Sequence, residues 1–213
     1  MLFRSADRAV RTILFAGHGA AFSAGNDLQD FLSTPMTEAS PVLRFLAALA
    51  ANTKVLIAAV QGPCVGIGAT LLLHCDHVVA AQSAALQFNF IKMALVPEAG
   101  SSLLLPRAVG RLKAAEILLT GDPVLADEAL ALGLVSRVVA EGEQLDAARA
   151  FADRLATVAP EALRVSRALL RSETDGLAAR MDEENAAFKQ RLRSPEFKEA
   201  VAAFMQKRAP VFG

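Results

Sequence analysis

Apolar positions along the chain fall first into short runs closed by glycine or proline. Arg11–Ala16 ends at Gly17-His18-Gly19, and Val55–Val60 ends at Gln61-Gly62-Pro63. His77–Ala81 and Val135–Val139 are two more runs of this kind. Such runs predict strands buried on both faces. Between them, apolar residues recur at helical spacing over Pro41–Ala51, Ala69–His74 and Leu112–Leu119, which predicts helices. Strands alternating with helices predict an α/β core with parallel pairing.

After about Glu141 no strand-like run appears, and helical patterns follow one another to Pro210. Pro160 suits a first helical turn, Thr174-Asp175-Gly176 breaks the chain, and Ser194-Pro195 reads as an N-cap with proline at N1. One helix is predicted from Gly176 to Arg193, with Leu177, Met181, Phe188 and Leu192 on a stripe. The next carries Phe197, Val201, Phe204 and Met205. Residues 1–140 are therefore expected to form an α/β core and residues 141–213 a helical region, whose stripes mark core or subunit contact.

With 213 residues, 54% of them hydrophobic, the chain suits one soluble domain or a domain with an appendage. Lys+Arg and Asp+Glu number 22 each, so no global charge draws it to nucleic acid or an anionic membrane, and charge-based recognition has to be local. The longest apolar stretch, Val55–Leu73, is interrupted by Gln61, Gly62, Pro63, Gly66 and Gly68, against a membrane span. Neither the opening MLFRSADRAVR nor the closing VFG reads as a targeting signal, and a cytoplasmic address is expected. Cys64 and Cys75 form no CxxC pair, so buried reduced thiols are expected rather than a disulfide or a zinc site.

Two segments, each a strand followed by a glycine turn, are candidates for chemistry. In Gly19–Leu28, Gly25 can adopt a backbone conformation closed to other residues and leave the next N–H directed into a cleft. Gly62–Thr70 runs straight into a helix, whose first N–H groups are ready donors to a developing negative charge. Converging, the two loops would make an oxyanion hole; singly, each is equally an ordinary turn. Gly66-Ile67-Gly68 also resembles a dinucleotide fingerprint, but Leu71 occupies the third glycine position and Ala80-Ala81-Gln82 ends the next strand without an acid. Glu98, within Leu95–Leu103, is flanked by apolar and small residues. It reads either as a helix N-terminal carboxylate or as a general acid/base whose pKa is raised by desolvation. His18, His74 and His77 suggest no converging metal ligands, and no serine nucleophile has an evident base.

Taken together, Phe22–Leu28, Ala58–Ala69, Cys75-Asp76, Ala126–Val135 and Phe204–Phe212 resemble the crotonase (enoyl-CoA hydratase/isomerase) superfamily in order and spacing. The resemblance implies a crotonase-like α/β spiral of ββα units, with a C-terminal helical region that builds trimers or dimers of trimers. It implies an acyl-CoA thioester as ligand, no separate cofactor since coenzyme A enters with the substrate, and no metal. The matching oxyanion donors are the backbone N–H groups of Asn26 and Ile67. Ser23, Ala24, Gly25, Asp27, Leu28, Gly66, Thr70 and Phe90 are implied to line the substrate site, with Phe204 and Lys207 reaching a neighbour's coenzyme A site. The family's hydratases use two glutamates, and the matching positions hold Thr70 and Phe90, neither of which exchanges a proton. Glu98 falls where Δ3-Δ2-enoyl-CoA isomerases carry their catalytic glutamate. Other carboxylate-dependent reactions, on dienoyl-CoA or a ring epoxide, and a non-catalytic coenzyme A-binding role are the alternatives. Family members ordinarily carry a further strand and loop upstream of the segment matching Met1–Arg11, so a core shortened on that side is expected.

Overall fold

The computed structural model describes residues 7, 9–33, 36–37, 39–171 and 176–212. Most of the segment matching Met1–Arg11, and the break expected at Thr174-Asp175, lie outside them. In chain order the strands are β1 (Thr12–Ala16), β2 (Val55–Val60), β3 (Pro63–Val65), β4 (His77–Ala81), β5 (Ala85–Gln87), β6 (Val124–Leu125) and β7 (Arg137–Val139). The helices are α1 (Leu28–Ser33), α2 (Pro41–Ala50), α3 (Ile67–Leu72), α4 (Ser101–Val109), α5 (Arg111–Thr120), α6 (Ala126–Ala131), α7 (Gln144–Ala156), α8 (Pro160–Leu170), α9 (Leu177–Arg191) and α10 (Pro195–Met205).

A parallel sheet has the order β1-β2-β4-β7, and a smaller one the order β3-β5-β6, in which β5 and β6 are antiparallel. The chain crosses from the large sheet to the small one twice, through β2–β3 and β4–β5, and a helix follows each crossing. This is the ββα repeat that the resemblance implies. The small sheet was not legible, because its strands span only two or three residues. β7 starts at Arg137 rather than Val135, since the Leu134 and Val135 N–H groups both donate to Ala129 O and close the turn after α6.

Every residue of β2 is buried, as its unbroken apolar run requires. Val55, Ile57 and Ala59 face α7, where Ala148 and Phe151 meet them, while Leu56 packs with Leu49 and Leu71 on the opposite side. Helix α7 thus covers the large sheet directly. Asp76 ties this layer together: its carboxylate accepts from Leu56 N at 2.8 Å and from Arg167 Nε of α8 at 2.7 Å. Ser194 caps α10 as expected, its Oγ accepting from Phe197 N at 3.1 Å ahead of Pro195. No helix among the described residues is long and apolar enough to cross a membrane.

Candidate active site

The loops after β1 and β2 are joined to each other before either reaches a cavity. Gln61 Nε2 donates to Gly17 O and Gly19 O, and Phe22 N donates to Gln61 O at 2.8 Å. Ser23 forms a parallel bridge to Cys64, and Val65 N donates back to Ser23 O at 2.9 Å. The two loops therefore run side by side, each with a glycine at positive φ before its key residue: Gly25 at 90° and Gly66 at 55°. At Gly25 a β-carbon would stand 3.2 Å from Val65 O, so the close approach of the loops also favours glycine. Ser23 Oγ accepts from Gly25 N at 3.2 Å and steadies this turn.

Immediately after these glycines come Asn26 and Ile67. Both line one cavity of about 280 Å³, and neither backbone N–H donates to an acceptor among the described residues. Ile67 opens α3, so its N–H has no partner within the helix. The cavity wall also includes Ala24, Gly25, Leu28, Gly66 and Phe90, all named from the sequence. Ser23 and Asp27 stand beside it rather than on it. Asp27 Oδ1 accepts from Gln29 N at the start of α1, and its side borders an adjoining chamber of about 520 Å³. Thr70 is a correction: it is wholly buried within α3, its Oγ1 directed to Ile67 O, and it is not on the cavity wall. Phe204 lines this chain's own cavity, whereas Lys207 lies outside it.

Glu98 is the one acidic residue on the wall among the described residues. It is 3% exposed, and no hydrogen bond or ion pair engages its carboxyl among the described residues. Burial, and secondarily the nearby charge of Glu184, push its pKa up from 4.5 to about 7. Glu98 sits in a turn in which Ala99 and Gly100 both have positive φ, 59° and 73°, directly before α4. Three contacts hold the turn. Ser101 N and Oγ donate to Glu98 O, His74 Nε2 lies 2.7 Å from Ala99 O, and the Glu184 carboxylate accepts from Gly100 N and Ser102 N. His74 is fully buried and its pKa is pushed down to about 4, chiefly by burial; neutral, it donates from Nε2 to the carbonyl.

Sequence reasoning missed Glu184 behind the turn and, on the wall, the aromatic residues Phe31 and Phe188 together with Gln87, Asn89, Met93 and Leu95. Phe31 and Phe188 meet edge to face with ring centroids 5.8 Å apart. The sequence marks Phe188 only as part of a stripe on α9. Nothing local in the sequence distinguishes a residue facing a cavity from one facing the core.

Residues 3–213 match the family model for enoyl-CoA hydratase/isomerase. The 1,2-epoxyphenylacetyl-CoA isomerase of Escherichia coli (strain K12) is 35% identical over 97% of this chain and 82% of its own length. A crystal structure of an enoyl-CoA hydratase/isomerase from Pseudoalteromonas atlantica T6c superposes with a TM-score of 0.94 at 41% identity, covering 100% of this chain and 85% of that one. The structure of Pseudomonas aeruginosa OdaA gives a TM-score of 0.92 at 44% identity, covering 96% of this chain and 84% of that one. The chain therefore belongs to the enoyl-CoA hydratase/isomerase family, enzymes that act on acyl-CoA thioesters.

Proposed function

We propose that the protein moves a double bond from C3 to C2 of an enoyl-CoA by a proton shuttle on Glu98. The observation that carries this reading is that, among the described residues, the cavity holds a single carboxylate, buried and with its pKa near 7, facing the same space as the Asn26 and Ile67 N–H groups. Glu98 as carboxylate takes the proton from C2 of the 3-enoyl thioester. The electron pair of that C–H bond delocalises onto the thioester oxygen, which the two N–H groups hold. Glu98 as carboxylic acid then returns the proton to C4, leaving the double bond between C2 and C3. One group serves as base and then acid, so a pKa close to the working pH suits both half-reactions.

Adding water across the double bond by the two-glutamate route needs a second acid/base on the wall. Phe90 occupies one of the matching positions, and Thr70, at the other, is inside α3. The experiment is to offer 3-enoyl-CoA and 2-enoyl-CoA separately to the purified protein and identify the products. Formation of 2-enoyl-CoA from the first, with no 3-hydroxyacyl-CoA from the second, is expected. Hydration at a rate comparable to isomerisation would overturn the reading.

A second reading, isomerisation of a ring epoxide, is favoured by one specific observation. Phe31, Phe90, Phe188 and Phe204 all line the cavity, and a relative named for 1,2-epoxyphenylacetyl-CoA is 35% identical. Rates on an aryl epoxide thioester and on a linear 3-enoyl-CoA separate the two.

A further inference from the structure

Helix α9 places a second buried carboxylate behind the Glu98 turn. Glu184 is 6% exposed, and its two carboxylate oxygens are both in use: one accepts from Gly100 N at 2.6 Å and the other from Ser102 N at 2.9 Å. These residues flank the start of α4, where unpaired N–H groups attract an anion. The bonds span more than eighty residues of sequence, so in satisfying the start of α4 they also dock α9 onto the turn. The turn itself is costly. Ala99 has φ of 59°, in a region where an L side chain is disfavoured by about 1–2 kcal/mol. It persists because neighbours over-determine it. His74 holds Ala99 O from the α3 side, and Glu184 holds the Gly100 and Ser102 amides from the α9 side.

Taking Glu98 as the proton shuttle, we infer that Glu184 is its positioning residue, fixing the left-handed turn that presents the Glu98 carboxyl to the cavity. Glu184 does not line the cavity. Its effect on the reaction runs through Glu98 in two ways, by geometry and by charge. Its negative charge opposes ionisation of Glu98 and adds to the larger effect of burial. Among the described residues, His74 also contacts the turn and stays neutral above about pH 4, and Arg191 binds the segment ahead of it. The Arg191 guanidinium is engaged with Ala94 O and Glu196. His74 does not change charge near pH 7, so a shift of the Glu98 titration on replacing Glu184 reports on that carboxylate.

The test is Glu184→Gln in the full chain. Glutamine keeps the volume but can accept from only one of the two amides without turning its NH2 towards the other, and it carries no charge. Two readouts are expected to move: kcat falls by roughly tenfold or more with KM within about threefold, and the acid limb of the kcat profile shifts to lower pH by about half a unit. A purely structural role would not move the acid limb. The Glu98 titration is also read without turnover, by 13C NMR of carboxyl-labelled glutamate, with the resonance identified by its loss in Glu98→Gln. This arm stands even if the protein does not isomerise 3-enoyl-CoA, so failure of the proposed function and failure of this inference are distinct. A Glu98 midpoint within about 0.2 units of the parent's, well inside the shift a lost neighbouring charge produces, would overturn the inference. Should the variant not fold, hydrogen exchange in the parent decides. Gly100 and Ser102 amides exchanging as fast as an open loop contradict the clamp, and protection close to that of the α4 interior supports it.

Discussion

A carboxyl as enclosed as that of Glu98 favours its neutral form, and this links its chemistry to the stability of the fold. Its pKa in the folded chain is about 7, against an ordinary value of 4.5. Between these values the folded chain keeps a proton that the unfolded chain has released. The contribution is therefore fully present below pH 4.5 and is lost as pH rises through 7, by about 3 kcal/mol in all. Glu98→Gln removes the titration while keeping the shape. The melting temperature of that variant is expected to gain on the parent's as pH is raised from 5 to 8, by thermal unfolding at the two pH values. A gap that does not change with pH would mean that Glu98 is not desolvated as described. The residue itself was legible in the sequence, because a lone acid among apolar neighbours stands out. Its role stayed open there, since a helix N-terminal glutamate has the same local surroundings. What raises its pKa is chiefly burial, which only the folded chain creates, with a smaller part from the charge of Glu184 far along the chain.

At the scale of elements, the site depends on two loops that share a backbone ladder, and glycine at position 62 is what lets them meet. Gly62 has φ of 55°, and a β-carbon there would stand 2.0 Å from Ala20 O, a backbone atom of the partner loop. Gly19 has φ of 77° with open space around it. Alanine at either position incurs the left-handed penalty, but only at Gly62 does it also drive the loops apart. Gly62→Ala is expected to be less stable than Gly19→Ala by about 2 kcal/mol in chemical denaturation, and to lose the thermal shift given by acyl-CoA. Equal losses in the two variants would show that the loop contact is slack. The strands β2 and β4 were legible to the residue, because burial on both faces leaves an unbroken apolar run. Helix α4 was not, since Pro106 lies within it and argues against a helix in the sequence.

Across the whole molecule, the cavity collects residues from the first loop, the second loop, the segment from Gln87 to Glu98, and the last two helices. Phe188 and Phe204 bring the C-terminal region onto a site whose proposed oxyanion donors, Asn26 and Ile67, come from the first third of the chain. Such convergence is a property of the fold, which is why the resemblance conveyed Asn26, Ile67 and Glu98 through linked motifs, while Phe31, Phe188 and Glu184 carried no motif to mark them. In the proposed reaction a single carboxyl moves the proton, and two backbone amides hold the thioester oxygen. The most direct measurement is the turnover of 3-enoyl-CoA by Glu98→Gln, alongside its thermal shift with bound acyl-CoA. Glutamine cannot accept and return a proton, whereas the amides of Asn26 and Ile67 are untouched by the change. A loss of about 10²–10⁴-fold in kcat with the ligand-induced shift retained is expected; a rate within about fivefold of the parent, far short of the loss a missing general base causes, would contradict a proton shuttle on Glu98.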